Sequence, residues 1–170
     1  MQSIIIASKE QHISQIRDLF LEYLNWVHDF FINEFDHSFD VENYVENDIQ
    51  KIDRFMPPMG RLLLCYYNEQ LAGMSALKEL APGTGEIKRM FVRPMYRQKG
   101  LGRALLQRLL VEAAQIGYQR LRLDSPPISK ESHHLYRSAG FRDIQPYEIE
   151  ISKEYQKDWV FMEKEFSGIS

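Results

Sequence analysis

From residue 85 the chain reads GEIKRMFVRP and continues MYRQKGLGRALLQRLLVEA. The first run is a strand closed by Pro94, and the second opens a long apolar-periodic helix that ends near Gly117. That helix starts on Arg97-Gln98-Lys99-Gly100-Leu101-Gly102. Glycine costs roughly 1 kcal/mol against alanine inside a helix, so this is poor starting chemistry unless bare backbone is needed there. A helix N-terminus leaves backbone N–H groups unpaired and carries about half a positive charge. A strand, a glycine turn and a helix therefore make a cradle for phosphate. Arg97, Lys99 and Arg103 add formal charge. The two readings are a pyrophosphate seat and a tight turn with a solvated basic face. A Gly-Lys-Ser/Thr sequence is absent, and Leu105 stands where a dinucleotide fingerprint needs its third glycine.

Around this unit the remaining elements follow from periodicity. SIIIAS reads as a first strand, and KEQHISQIRDLFLEYLNWVHDFF as a helix with Ile13, Ile16, Phe20, Leu24 and Val27 at helical spacing. VENYVENDIQKIDRF is a second helix, stopped at Pro57. RLLLCYY and LAGMSALKEL form a strand pair joined at hairpin length through Asn68-Glu69-Gln70. After the central helix come the strand RLRLDS, the short helix SKESHHLYRSAG with Gly140 past its end, and two closing strands, FRDIQPYEIEI and KDWVFMEKEF. This order predicts a mixed α/β fold in one domain spanning residues 1–170.

Composition narrows the function. A formal net charge of −3 gives no electrostatic case for nucleic acid. Cys65 is the only cysteine, which excludes an internal disulfide and a four-cysteine zinc site and fits a cytoplasmic protein. The N-terminal run is too short and too poor in basic residues for a signal peptide, and no apolar stretch approaches the ~20 residues of a membrane span.

Arg97-Gln98-Lys99-Gly100-Leu101-Gly102 matches every fixed position of Arg/Gln-x-x-Gly-x-Gly/Ala, and the chain around it resembles the acetyl-CoA-binding core of the GNAT superfamily of N-acetyltransferases. SHHLYRSAGF is similar to the family's second motif, in which Leu-Tyr precedes Gly-Phe. The resemblance covers roughly Leu62 to Phe166 and includes the helix and strand between the motifs. It implies a central, mostly antiparallel mixed sheet of about seven strands flanked by four helices. It also implies direct acetyl transfer from acetyl-CoA to an amine, with no metal, and a possible homodimer.

The site residues implied are as follows. The N–H groups of Arg97, Gln98, Lys99, Gly100, Leu101, Gly102 and Arg103 hold the pyrophosphate. The backbone of Met90, Phe91 and Val92 pairs with the pantetheine arm, Met90 N–H meets the thioester carbonyl, and a bulge splays this strand from RLRLDS. Tyr136 matches the tyrosine that many members use as general acid, or else packs beside the coenzyme. Glu86, expected on one strand face with Lys88, Met90 and Val92, matches a glutamate that serves as general base in histone-modifying relatives; a water is the alternative. Ser129 stands where many members carry Asn. It can cap the helix, but its side chain is shorter than the Asn that makes the usual coenzyme contact.

Other residues carry weaker signals. Adjacent His133 and His134 point about 100° apart on a helix and read as surface residues. His28 and His37 show no metal-ligand spacing, and Cys65 reads as a small buried hydrophobe. The run from Asp29 to Asp48 holds seven acids and no lysine or arginine. It is either an acidic rim that attracts a cationic amine or an ordinary solvated surface. Tyr23, Trp26, Phe30 and Phe31 line an apolar wall or pack the core. The reading that results is an N-acetyltransferase acting on a small primary amine, an amino acid or another cationic amine. Its rivals are a protein or peptide acetyltransferase and a non-catalytic acetyl-CoA-binding module.

Overall fold

A computed structural model describes residues 1–167. The elements in chain order are β1 (Gln2–Ile6), α1 (Lys9–Phe35), α2 (Val41–Gln50), β2 (Arg61–Tyr67), β3 (Gln70–Ala81) and β4 (Thr84–Val92). They are followed by α3 (Leu101–Ile116), β5 (Arg120–Ser125), α4 (Lys130–Ser138), β6 (Arg142–Asp143) and β7 (Val160–Glu165). The strands form one seven-stranded sheet in the order β1-β2-β3-β4-β5-β7-β6, antiparallel at every step except β4–β5. This is the expected mixed α/β architecture with four helices.

Strand alternation divides the core. On β2, Leu62 and Leu64 point to one face, where Ile16, Leu19 and Phe20 of α1 cover them, while Leu63 and Cys65 meet Leu105 and Leu109 of α3 on the other. α1 ends where Asp36 takes a left-handed conformation (φ 52°), and Asp40 caps α2 by accepting the Asn43 N–H at 3.0 Å. A third, aromatic cluster gathers Val27, Phe30 and Phe31 with Phe35, Phe39, Tyr155 and Trp159.

One expected strand is much shorter than its sequence suggests. FRDIQPYEIEI forms only the two-residue β6, and residues 144–159 run irregularly apart from a short 3₁₀ turn at Lys153–Tyr155. Pro146 cannot donate to a ladder. Tyr147 is drawn out of any strand position by its hydrogen bond to Glu86 Oε2 at 2.9 Å.

Two buried glutamates tie neighbouring elements together, one between helix and sheet and one between adjacent strands. Glu112 on α3 accepts from Arg61 Nε of β2 and from Arg108 Nε, each at 2.8 Å. Glu163 on β7 accepts from Arg122 Nε of β5 at 2.7 Å. Burial pushes both carboxyls up, but the arginine bonds outweigh it and hold them below the ordinary value of 4.5. The folded values lie below the unfolded ones. The stabilisation is therefore complete above the unfolded value and lost as pH falls through the folded values. Chemical denaturation from neutral to acid pH should show the midpoint falling below about pH 4.5. A Glu112→Gln/Glu163→Gln protein should start less stable and lose less on acidification.

Candidate active site

The defining local event is an extra residue in β4. Pairing with β3 steps from Met74↔Phe91 to Ala76↔Lys88, so Arg89 and Met90 together oppose Ser75. Arg89 takes a left-handed conformation, φ 55°, which costs a non-glycine residue about 1–3 kcal/mol. Buried Asp48 of α2 holds it there: its Oδ2 accepts Arg89 Nε at 2.8 Å and Nη2 at 2.6 Å, and its Oδ1 accepts Arg54 Nη2 at 2.7 Å. The Arg89 guanidinium also lies 5.6 Å from the Tyr23 ring centroid.

The bulge has two consequences. First, β4 and β5 pair only over Thr84–Glu86 with Arg120–Arg122. Beyond Glu86 the β5-facing edge of β4 has no strand partner among the described residues. Second, the added residue reverses the alternation. Ile87, Met90 and Val92 pack on the α3 side and Phe91 on the α1 side. Glu86 therefore does not share a face with Met90 and Val92, contrary to the uninterrupted alternation expected from sequence.

Along that open edge runs a groove of about 510 Å³, bordered by Met90, Phe91, Val92, Gln98, Gly100 and Gly102, with α4 residues opposite. Gln98 (φ 61°) and Gly100 (φ 78°) bend the chain into α3. The first intrahelical bond is Ala104 N–H to the Gly100 carbonyl at 3.0 Å, so the N–H groups of Leu101, Gly102 and Arg103 have no helical acceptor. At Gly73 a Cβ would strike the Phe91 carbonyl at 2.5 Å, so the fold demands glycine there. At Gly102 a Cβ would meet only Leu135 Cδ2, at an ordinary 3.5 Å, and at Gly100 nothing within 4 Å. The fold has room for a methyl group at Gly102, so packing does not demand glycine there. Arg97 donates from Nε to the Val92 carbonyl at 3.0 Å, stacks its guanidinium 5.7 Å from the Trp26 centroid and so ties the turn to β4. Lys99 stands over Tyr67, and Arg103 is exposed.

A cavity of about 390 Å³ adjoins the groove and shares Met90, Ser129 and Ser132 with it. Tyr136 of α4 borders this cavity with 4% exposure. Burial first, then the charges of Tyr23 and Asp124, push its pKa far above the usual tyrosine value, so it keeps its proton. Ser129 sits at the α4 N-cap but makes no side-chain capping bond; its carbonyl accepts the His133 N–H at 3.1 Å. The expected cap is not made, because Ser129 adopts φ −91°, ψ 38° rather than the extended geometry a capping side chain needs.

Glu86 is 2% exposed and does not border the cavity. Tyr147 covers it, and Lys78 and Lys88 lie 3.5 and 3.4 Å from its Oε1. The carboxylates that do border the cavity are Asp124, Glu150 and Glu154; Asp124, on β5, accepts from Lys88 Nζ at 2.8 Å and Trp159 Nε1 at 3.0 Å. Sequence periodicity does not single out Asp124. Its position at the end of a strand facing the unpaired edge of β4 was the available signal.

Of the seven acids in the run from Asp29 to Asp48, none borders the cavity, and Asp48 is a buried counter-ion. The run contributes His37, Phe39 and Tyr44 instead. His133, expected on the surface, is buried with Nε2 hydrogen-bonded to Ser125 Oγ at 2.9 Å, because α4 turns that face toward β5. His37 Nδ1 pairs with the Tyr155 hydroxyl at 3.1 Å, and Cys65 is buried as expected. Among the described residues no helix is long and apolar enough to cross a membrane.

Comparison with known proteins follows the same lines. The model of the Acetyltransferase (GNAT) family matches residues 20–141. The uncharacterized N-acetyltransferase YsnE of Bacillus subtilis is 30% identical over 68% of this chain and 79% of its own. An IAA acetyltransferase of Azospirillum brasilense is 28% identical over 86% of this chain and 90% of its own. A PaiA N-acetyltransferase from Thermoplasma acidophilum, solved in complex with coenzyme A, shares the fold with a TM-score of 0.73 at 18% identity, over 98% of this chain and 99% of that one.

Proposed function

The chain belongs to the acetyltransferase (GNAT) family and is an acyltransferase; from that premise we propose that residues 1–170 form one catalytic unit moving the acetyl group of acetyl-CoA directly to the primary amine of a small molecule, in the cytoplasm. The carrying observation is the meeting of groove and cavity at Met90, Ser129 and Ser132, between the open edge of β4 and Tyr136. The uncovered backbone at Gly100 and Gly102 fits a bulky diphosphate. The unpaired edge of β4 fits an extended amide-bearing arm. The coenzyme A bound in the Thermoplasma protein supports the coenzyme part of this reading, and the small-molecule name of the Azospirillum relative supports a small-molecule acceptor.

Bound acetyl-CoA supplies an acetyl thioester. The backbone from Arg97 through Gln98, Lys99, Gly100, Leu101 and Gly102 to Arg103 binds its pyrophosphate. Met90, Phe91 and Val92 pair with the pantetheine arm as a strand would, and Ser129 borders the arm where groove and cavity join. Met90 N–H polarises the thioester carbonyl as negative charge develops on its oxygen. Tyr136 donates its proton to the departing sulfur. On the acceptor side the amine must be neutral to attack. Asp124, fixed by Lys88 and Trp159, orients it, and a water carries its proton away. Glu86 reaches the cavity only through Lys88 and Asp124, so its expected role as base becomes that of a positioning residue.

Calorimetry with acetyl-CoA tests the coenzyme site. Wild type should bind. Gly102→Glu, placing bulk and like charge beside phosphate, should lose at least about 100-fold in affinity while remaining folded, since nothing but Leu135 lies near. An unchanged affinity in folded Gly102→Glu contradicts the assignment.

A further inference from the structure

The acceptor cavity has a chemical bias of its own. Its walls carry Tyr23, Phe31, Phe39, Tyr44, Tyr155 and Trp159. These rings brace one another edge to face: Phe31 lies 5.7 Å from Phe39, 5.6 Å from Tyr155 and 6.3 Å from Trp159, and Phe39 lies 5.0 Å from Tyr44, centroid to centroid. Ile149 and Ile151 complete an apolar wall. The Trp159 ring is anchored beside Asp124 by its own N–H, so a carboxylate and an aromatic ring stand together next to Met90 and Tyr136. That pairing suits an ammonium group on arrival.

The cations of the cavity are already committed. Lys88 is held by Asp124 at 2.8 Å and by Glu86 at 3.4 Å, and Arg89 by Asp48 at 2.6 Å. Two further carboxylates, Glu150 and Glu154, border the space; Glu150 has Arg54 at 3.8 Å, and Glu154 has no ion-pair partner among the described residues. A carboxylate on the acceptor would meet the unpaired Glu154 and, among the described residues lining the cavity, no lysine or arginine free of a carboxylate partner.

We infer that this cavity selects amines with an aromatic body and no carboxylate, an arylalkylamine rather than an amino acid. The inference rests on the acetyl-transfer reading above and narrows its acceptor. Selection has two independent parts: edge and face contacts between the acceptor ring and the wall, and repulsion of an α-carboxylate by Glu154 where every lining lysine and arginine is already paired.

The test is a matched set: phenethylamine, phenylalanine, phenylalaninamide and hexylamine. Each is assayed for acetylation with saturating acetyl-CoA, and by calorimetry on the protein saturated with coenzyme A. Phenethylamine should exceed phenylalanine by at least about 100-fold in kcat/KM and in affinity. It should exceed hexylamine by about 10-fold, the scale of one or two aromatic contacts. Phenylalaninamide, which keeps the α-substituent without its charge, should recover most of the loss. Phenylalanine equal to phenethylamine overturns the inference, as does hexylamine equal to phenethylamine. Phenylalaninamide as poor as phenylalanine overturns the charge argument. If no amine is acetylated, the acetyl-transfer reading fails, and calorimetry still decides the inference: the same binding order upholds it, and no binding or the reverse order overturns it.

Discussion

Asp48→Ala should lower the thermal midpoint by about 6–20 °C and turnover by about 10²-fold. The thermal figure converts the ~3–5 kcal/mol cost of leaving a buried charge unpaired at about 2–4 °C per kcal/mol for a chain of this size. The turnover figure is the expected cost of misplacing reacting groups by about 1 Å. Asp48 is 7% exposed and is the carboxylate that binds Arg89 and Arg54 together. Without it Arg89 has no counter-ion to hold φ 55°, and the bulge that aims Met90 relaxes. A rescue variant makes the argument specific. Arg89→Gly adopts positive φ freely and removes one stranded charge, so Asp48→Ala/Arg89→Gly should recover part of both losses. Asp48→Ala with an unchanged thermal midpoint, or a double variant no better than the single, contradicts the locking role.

Tyr136→Phe should lower turnover by roughly 10²–10⁴-fold, the range of general acid catalysis. Coenzyme affinity should change little, because the role belongs to the transition state. The ring remains to pack against Phe141, whose centroid lies 5.8 Å away. Since burial raises the Tyr136 pKa, the hydroxyl stays protonated in alkaline assays, and wild-type turnover should not fall through ordinary tyrosine ionisation near pH 10. A purely packing role predicts near-normal Tyr136→Phe and a large loss only in Tyr136→Ala. Single-turnover rates at saturating acetyl-CoA separate the two.

Legibility followed the range of the interactions. The strand-turn-helix at residues 84–116 was readable because its demands are local: a proline stop, bare backbone at a helix start, a glycine at the end. Helix faces were readable for the same reason, since 3.6-residue periodicity is recorded in the chain itself. Glu86 shows where that logic stops. One bulged residue at Arg89 moves Met90 and Val92 to the opposite face, and the cause, Asp48, lies 41 residues away in sequence. Asp48 itself looked like one of seven surface acids. His133 looked exposed because its neighbours on α4 are polar; the partner that buries it, Ser125, belongs to β5. The segment 144–159 carries strand-like residues, yet its aromatic side chains are spent on the cavity wall and on Glu86.

The most direct test of the account is to mix the protein with acetyl-CoA and a panel of primary amines, measuring free thiol and acetylated amine together by mass spectrometry. The account predicts one acetylated amine per thiol released, abolished by folded Gly102→Glu and slowed by Tyr136→Phe. Coenzyme binding with no amine-dependent thiol release across the panel would contradict it.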